Sequence, residues 1–145
     1  MPVLSPSSET LHATTVAIDG RGVVIEGPSG AGKSDLALRL IDRGAMLVSD
    51  DRTRITREGD RLVAHAPAVM AGRIEVRGLG IAEAPHVAAA AVALLIRIGE
   101  EERLPERRLR RIADVAVPEL TVAPFRASAP IKVEWALRQP ELPPV

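Results

Sequence analysis

The sequence contains no cysteine, and its only aromatic residues are Phe125 and Trp135. The absence of cysteine excludes disulfide bonds, thiolate metal sites and a thiol nucleophile. Because aromatic side chains are scarce, a hydrophobic core has to be built from Val, Ile, Leu and Ala. With 46% hydrophobic and 26% charged residues in 145, the chain has the composition of a globular domain with a sizeable core.

The sequence also lacks a net charge, since 19 basic residues balance 19 acidic ones. Proteins that bind nucleic acid or anionic membranes carry an excess of positive charge, so neither partner is expected. The longest apolar run, Val87 to Ile96, is shorter than the ~20 residues that span a bilayer. The N-terminal residues have neither the basic nor the apolar region of a signal peptide. We therefore expect a cytoplasmic protein.

A glycine-rich stretch carries the clearest functional signal. It reads Gly27-Pro28-Ser29-Gly30-Ala31-Gly32-Lys33-Ser34 and fits the P-loop pattern G-x-x-x-x-G-K-[ST]. The glycines let backbone N–H groups approach phosphate oxygens, Lys33 can reach the β- and γ-phosphates, and the Ser34 hydroxyl can ligate Mg²⁺. A β-branched run at 23–25 precedes the loop and an amphipathic run at 33–43 follows it. The sequence therefore predicts a strand, a phosphate-binding loop and a helix.

Predicted strands outnumber predicted helices along the chain. Helical spacing of apolar residues predicts helices at 33–43 and 130–139. Apolar runs and period-two alternation predict strands at 14–18, 23–26, 45–48, 52–56, 61–65, 73–77, 91–98, 115–117 and 120–122. Several of these strands form hairpins, whereas a doubly wound nucleotide-binding fold would alternate strands and helices. We predict an α/β fold in which a P-loop nucleotide-binding domain is built on a mixed, largely antiparallel sheet.

The chain is predicted to form one domain. The expected divisions are a flexible N-terminus at 1–11, a single P-loop domain at 12–139 and a tail at 140–145. The pattern at 82–87 is left open, and 99–111 is expected to be charged and exposed. The basic run at 107–111 fits an acidic partner, although such runs are usually solvated surfaces.

Two adjacent carboxylates, Asp50 and Asp51, follow the predicted strand at 45–48. Phosphoryl transfer needs a group that accepts a proton or positions the nucleophile, and an acid at this place after the P-loop helix suits that need. A carboxylate near Mg²⁺ and Lys33 stays ionised and can take a proton from an alcohol. If the strand continues, only one carboxylate points at the γ-phosphate, and the other serves Mg²⁺ or supports the site. The alternative is an exposed acidic turn.

A second polar group lies on the predicted strand at 73–77. Glu75 and Arg77 are two residues apart and share one face of that strand. Glu75 offers hard oxygen ligands for Mg²⁺, and Arg77 offers a clamp for phosphate. The alternative is an exposed polar face of a sheet. His12, near the N-terminus, is by itself expected to be a surface histidine in a frayed chain end.

These residues together resemble the C-terminal catalytic domain of the HPr kinase/phosphorylase family. The family P-loop G-D-S-G-x-G-K-S-E is matched by residues 27–35 apart from two substitutions. The family's R-G and L-V-A-D-D are matched at the same spacing by residues 43–44 and 47–51. Residues 75–81 read Glu-Val-Arg-Gly-Leu-Gly-Ile where the family has E-I-R-G-L-G-I. Three motifs in register are far more specific than a P-loop alone.

The resemblance implies a role for each matching residue around the nucleotide. Lys33 would hold the β- and γ-phosphates. Ser34 and Glu75 would hold Mg²⁺, and Asp51 would lie near the metal. The resemblance therefore favours a functional reading of Glu75 and Arg77 over an exposed sheet face.

It also implies roles in the transfer step. Asp50 would act as the base towards the acceptor hydroxyl, and as the acid in the reverse reaction. A family histidine lies upstream of the P-loop at the spacing of His12, which would support Asp50 or bind phosphate. The family's D-R-L segment is similar to residues 102–104, so Arg103 would stabilise the transferring phosphoryl group.

The function implied by the resemblance is transfer of a phosphoryl group from ATP, with Mg²⁺, to a serine of HPr, the small phosphocarrier of the sugar phosphotransferase system. The implied fold is that of HPr kinase C-terminal domains, which is phosphoenolpyruvate-carboxykinase-like. It makes 12–139 a single P-loop kinase domain, and it implies a homo-oligomer, a hexamer in this family. In many members inorganic phosphate also removes the phosphate from HPr and releases pyrophosphate.

Two departures from the family leave alternatives open. The chain resembles a short form that lacks the family's N-terminal domain. The family's P-V-R-P-G-R-N stretch is hardly recognisable at 123–128, so retention of the reverse reaction is left open. An ATP-sensing module without protein kinase activity and a small-molecule kinase are the alternative functions.

Overall fold

The longest strand of the protein lies at the centre of a nine-stranded sheet. The structure is a computed structural model that describes residues 8–106 and 108–139. Its elements in chain order are β1 (Ser8–Leu11), β2 (Ala13–Ile18), β3 (Arg21–Glu26), α1 (Lys33–Asp42), β4 (Met46–Ser49), β5 (Thr53–Glu58), β6 (Arg61–His65), β7 (Arg73–Val76), β8 (Gly80–Glu83), β9 (Ala89–Ile98), β10 (Arg108–Ile112), β11 (Val115–Val122) and α2 (Ala129–Arg138), with a 3-10 turn at Ala68–Met70.

The order of strands in the large sheet is β1-β5-β6-β9-β3-β2-β4, and β10 joins through β11. The central strand β9 pairs with β3 along one edge, and it pairs with β6 and then β11 along the other. The pairs β3–β9 and β9–β11 are parallel, and the other ladders of the sheet are antiparallel. The hairpin β7–β8 forms a separate two-stranded sheet. The prediction of a mixed, largely antiparallel sheet beneath a P-loop is confirmed.

Both faces of the sheet are apolar, because side chains of β3 alternate between two clusters. Val23 and Ile25 pack with Leu36 of α1 and Val133 of α2. Val24 packs on the opposite face, where β5, β6, β10 and β11 contribute the buried residues Ile55, Leu62, Ile112 and Val117. Aliphatic side chains supply both clusters, as the scarcity of aromatic residues requires.

Helix α1 begins directly at the P-loop, and a glycine follows its C-cap residue Arg43. Leu36, Ala37 and Leu40 are fully buried and form the face that packs on the sheet. Gly44 has φ +111°, and the N–H groups of Gly44 and Ala45 donate to the carbonyls of Ile41 and Leu40. This is the glycine-terminated helix end that the sequence predicts. None of the described helices is long and apolar enough to cross a membrane.

The structure differs from the sequence-based prediction at four strands. Residues 8–11, expected to be flexible, form β1, which pairs with β5. The open segment 82–87 belongs partly to β8, and part of the charged segment 99–111 forms β10. The two predicted strands around Pro118 form one strand, β11. A proline is tolerated there because β11 is paired on one side only at that position.

The remaining parts of the predicted termini, 1–7 and 140–145, lie outside the described residues, as does Arg107 of the basic run. The described arginines of that run make ion pairs: Arg108 with Glu102, Arg110 with Glu26 and Glu119, and Arg111 with Asp114. The sequence predicted a charged surface segment at 99–111 but did not predict the strand β10 within it, whose arginines form these ion pairs.

Candidate active site

The loop between β3 and α1 has the backbone shape that phosphate binding requires. Gly30 has φ +78° and Gly32 has φ +108°, which L side chains rarely adopt. A Cβ on Gly32 would also lie 2.8 Å from the ring of Phe125. Gly32 is the N-cap of α1, and no side chain caps that helix end. The first N–H groups of α1 therefore remain available to an anion.

The Lys33 side chain is buried beneath this loop. Its Nζ donates to the carbonyl oxygens of Gly27 at 2.7 Å and Pro28 at 3.3 Å. The same ammonium lies 3.7 Å from the carboxylate of Asp51. These contacts hold the Lys33 ammonium group between the backbone at the start of the loop and the Asp51 carboxylate.

The Asp50 carboxylate joins three separate parts of the fold. Its Oδ1 accepts hydrogen bonds from Ser34 Oγ at 2.7 Å and from Thr14 Oγ1 at 3.0 Å. Its Oδ2 accepts a hydrogen bond from the backbone N–H of Glu75 at 2.8 Å. The P-loop, β2 and β7 thus converge on one carboxylate that is only 5% exposed.

Asp51 differs from Asp50 in exposure and backbone conformation. Its side chain is 64% exposed, and its φ is +63°. Strand β4 ends at Ser49, so the two acids do not alternate across a strand as a continuing strand would require. Both carboxylates line the same cavity. The backbone turn, which the sequence pattern did not reveal, is what brings them to one side.

A cavity of about 720 Å³ lies between the P-loop, the two acids and the hairpin β7–β8. The expected site residues that line it are Ser29, Gly30, Gly32, Lys33, Ser34, Asp50, Asp51, Glu75 and Arg77. Arg77 reaches the loop itself, since a Cβ on Gly30 would lie 3.8 Å from Arg77 Nη2. The remaining loop residues, Gly27, Pro28 and Ala31, complete the turn.

The structure places two expected site residues elsewhere. His12 is exposed at the junction of β1 and β2 and does not line the cavity. Thr14, two residues after His12 in the sequence, is the residue that hydrogen-bonds to Asp50. Arg103 is exposed on a second cavity of about 610 Å³, together with Glu101, Lys132 and Trp135. Neither residue lines the cavity that contains the P-loop and Asp50, and their roles in phosphoryl transfer stay predictions.

Sequence reasoning missed several residues that line the cavity or hold its acids in place. Thr14 is the clearest, and its signal was a threonine pair inside an otherwise apolar strand. Thr14 contacts Asp50 from the interior of the sheet, whereas Phe125 and Arg73 line the cavity itself, together with the apolar residues Val69, Met70 and Ile81. Phe125 comes from a loop far along the chain, and only the tertiary fold brings it to the P-loop.

Three oxygen-bearing side chains of the cavity could serve as ligands for a metal. In 8–106 and 108–139, no three or more His, Cys, Asp or Glu side chains form a group that could hold a metal. Mg²⁺ in nucleotide sites is usually held by one or two protein ligands, substrate phosphates and water. The Ser34 hydroxyl and the carboxylates of Glu75 and Asp51 suit that smaller set, since all of them line the cavity.

A cluster of ion pairs holds the second cavity together. Glu101 accepts hydrogen bonds from Lys132 Nζ at 2.6 Å and from the N–H of Ala123 at 3.1 Å. Burial raises the pKa of Glu101, but the hydrogen bonds from Lys132 and Ala123 and the charges of Lys132 and Arg126 lower it more. The pKa of Glu101 is therefore below its ordinary value of 4.5. The loop that carries Phe125 is fixed to α2 through this carboxylate.

The chain is similar to HPr kinases in sequence and in structure. The family model described as HPr Serine kinase C-terminal domain matches residues 4–93. The HPr kinase/phosphorylase of Clostridium tetani is 44% identical over 84 residues, which cover 58% of this chain and 27% of that protein. The HPr kinase/phosphorylase of Lactiplantibacillus plantarum is 32% identical over 131 residues, which cover 79% of this chain and 41% of that protein.

Among solved structures, the Hpr(Ser) kinase/phosphatase from Coxiella burnetii aligns with a TM-score of 0.80 at 32% identity. The alignment covers 92% of this chain and 97% of that one. The chain thus spans less than half of the two curated relatives and nearly all of the solved chain.

Proposed function

Because this chain belongs to the family of HPr serine kinase C-terminal domains, we propose that it transfers the γ-phosphoryl group of ATP to a serine hydroxyl of HPr. One observation connects this activity to particular residues of the chain. The buried carboxylate of Asp50 accepts a hydrogen bond from Ser34 of the P-loop, so a proton acceptor and a phosphate-binding loop share one cavity. Phosphoryl transfer requires both groups together.

The nucleotide phosphates would lie against the backbone of residues 27–34. The uncapped first turn of α1 and the positive end of its dipole favour negative charge there. Lys33 and Arg77 supply side-chain cations at opposite sides of the loop, because Lys33 bonds to its start and Arg77 lies over Gly30. The P-loop end of the cavity is therefore electrostatically suited to a polyphosphate.

Mg²⁺ would be held by Ser34 Oγ and the carboxylate of Glu75, with Asp51 beside it. A metal held there would neutralise negative charge on the nucleotide phosphates. A hydroxyl has lone pairs besides its donated proton, so Ser34 could serve as a metal ligand without losing its hydrogen bond to Asp50. Asp51 is the exposed carboxylate at this place, and it balances the charge of Lys33.

Asp50 would receive the proton of the acceptor serine. A new bond forms between the serine oxygen and the γ-phosphorus, the bond from that phosphorus to the bridging oxygen breaks, and ADP leaves with the electron pair. A carboxylate has about four lone-pair positions, and three of those on Asp50 are occupied by Thr14, Ser34 and the N–H of Glu75. One position remains for the serine hydroxyl. In the reverse direction Asp50 would return the proton to the serine oxygen as inorganic phosphate takes the phosphoryl group.

The rim of the cavity favours a protein acceptor over a small metabolite. Val69, Leu79, Ile81 and Phe125 are between 67% and 85% exposed, and all but Leu79 line the cavity itself. Exposed apolar side chains around a polar cavity are typical of a surface that another protein covers. HPr, the acceptor in the names of the relatives, would approach from this side.

The proposal is tested by measuring ATP consumption with and without HPr. The purified protein, ATP and Mg²⁺ should produce ADP in amounts that match the added HPr. Nucleotide binding without such turnover would instead support an ATP-sensing module, and transfer to a metabolite in place of HPr would support a small-molecule kinase. A circular dichroism spectrum of the same sample excludes an unfolded protein as the cause of inactivity.

A further inference from the structure

Thr14 is a polar residue in the apolar interior of the sheet. It lies on β2, its side chain is completely buried, and it pairs in register with Ile25 of β3. Its hydroxyl donates to Asp50 Oδ1 at 3.0 Å and accepts a hydrogen bond from the backbone N–H of Asp51 at 3.0 Å. One hydroxyl group therefore contacts both members of the acidic pair.

We propose that Thr14 is a positioning residue, whose hydroxyl fixes both the orientation of the Asp50 carboxylate and the backbone turn at Asp51. The proposal rests on the proposed function, because it concerns the acid that would accept the proton. It adds a residue that the P-loop and the acidic motif do not contain. Thr14 would act through Asp50 and Asp51, without touching the nucleotide.

The first argument concerns the backbone of Asp51. Its φ of +63° is uncommon for a residue with a side chain, and such a conformation persists only when neighbouring contacts enforce it. The N–H of Asp51 finds its acceptor in the Thr14 hydroxyl. Without that acceptor, this donor would lose its partner and the turn would lose a contact that holds it. The turn in question is the one that brings both carboxylates into the cavity.

The second argument concerns the other two donors to Asp50. Ser34 belongs to the P-loop and Glu75 belongs to the hairpin β7–β8, and both elements line the cavity where ligands would bind. Thr14 belongs to an interior strand with a partner strand on each side. It is therefore the donor whose position is least affected by a ligand, and it provides the fixed reference for the carboxylate.

The neighbouring residue offers a matched control. Thr15 is also completely buried, on the same strand, and its hydroxyl bonds to Thr53 Oγ1 at 2.8 Å. Successive residues of a strand point to opposite faces, so Thr15 points away from Asp50. Loss of the hydroxyl at Thr15 removes a buried hydrogen bond of the same kind, without a change at the acids.

The test compares Thr14→Val, Thr14→Ser and Thr15→Val in the full chain. Valine keeps the shape of threonine and removes the hydroxyl, and supporting contacts of this kind are commonly worth about 10–100-fold in activity. We expect Thr14→Val to lower kcat for HPr phosphorylation by that factor, with KM for ATP changed less than about threefold. Thr14→Ser should recover most of kcat, and Thr15→Val should lower stability while leaving kcat close to that of the unaltered protein.

Equal losses of kcat in the two valine variants, or an unchanged kcat in Thr14→Val, would overturn the proposal. A second readout does not depend on activity. In a crystal structure of Thr14→Val, the Asp50 carboxylate should rotate or Asp51 should leave its positive φ. If both residues kept their positions in that structure, the role of Thr14 would be overturned. This result is independent of the proposed function, which would instead be overturned if the unaltered protein were inactive on HPr.

Discussion

Ser34 Oγ donates a hydrogen bond of 2.7 Å to Asp50 Oδ1. Ser34 lies in the first turn of α1 and Asp50 lies directly after β4, so the bond joins the phosphate-binding loop to the buried acid. We therefore expect a nucleotide that shifts the loop to shift the Asp50 carboxylate as well. The proposal that phosphoryl transfer takes place at this site rests on this contact.

Asp50→Asn should abolish transfer and leave nucleotide binding largely intact. The amide keeps the size of the side chain and cannot accept the serine proton, and general-base catalysis is typically worth about 10²–10⁴-fold. We expect kcat to fall by that factor, measured as phosphate transferred to HPr, while the Kd for ATP changes little. Asp60→Asn, in the exposed turn between β5 and β6, is the control and should behave like the unaltered protein. An active Asp50→Asn variant would mean that another group accepts the proton.

Gly32→Ala should weaken ATP binding by about 10-fold or more, because strain of about 1–3 kcal/mol is expected at such a position. Gly32 has φ +108°, which an alanine rarely adopts, and the added Cβ would lie 2.8 Å from the Phe125 ring. Gly20→Ala is a matched control, since Gly20 has φ +78° but no atom within 4 Å of the added Cβ. Isothermal titration with ATP measures the difference. Similar ATP affinities in the two variants would show that the shape of the loop at Gly32 is not needed.

Glu75→Gln should raise the Mg²⁺ concentration needed for half-maximal transfer by about 10-fold, since an amide is a poorer ligand than a carboxylate for a hard cation. Removal of Mg²⁺ with a chelator should stop transfer in every variant. Glu83→Gln is the control, because Glu83 lies on the partner strand of the same hairpin and does not line the cavity. An unchanged Mg²⁺ requirement in Glu75→Gln would exclude Glu75 as a ligand.

Glu101→Gln should lower the free energy of unfolding by about 1 kcal/mol at neutral pH, because the charge that pairs with Lys132 and Arg126 is lost. The lowered pKa of Glu101 means that its contribution is present above 4.5 and is lost as the pH falls through its folded-state value. The difference between the variant and the unaltered protein should therefore shrink in acid, as urea unfolding can measure. Glu102→Gln is the control, since Glu102 is 63% exposed. If the difference in unfolding free energy stayed constant in acid, the ionised Glu101 carboxylate would not be its cause.

The part of the fold around the P-loop was predictable because its signals are local. The β-branched run of β3, the glycines, the helical spacing of α1 and Gly44 lie within one short segment. The position of Asp50 after the P-loop helix indicated that it belongs to the same site as Ser34. The hydrogen bond between the two residues could not be predicted, because it depends on the turn after β4.

The elements that were missed depend on partners far along the chain. β10 reads as a charged run, but Arg110 pairs with Glu26 of β3 and Glu119 of β11, and Ile112 points into the core. β1 lies in a stretch rich in polar residues and becomes ordered by pairing with β5. Thr14 has no motif of its own, because its role depends on where β4 ends. Each of these features is a product of the tertiary fold.

The most direct test of the account is the position of the transferred phosphate. HPr should be incubated with the purified protein, ATP and Mg²⁺, digested, and analysed by mass spectrometry for phosphoserine. We predict one phosphoserine, and no phosphorylation of an HPr variant in which that serine is replaced by alanine or in the presence of Asp50→Asn protein. No phosphoserine on HPr, with a folded protein that binds ATP, would contradict the assignment of this site as a protein-serine kinase.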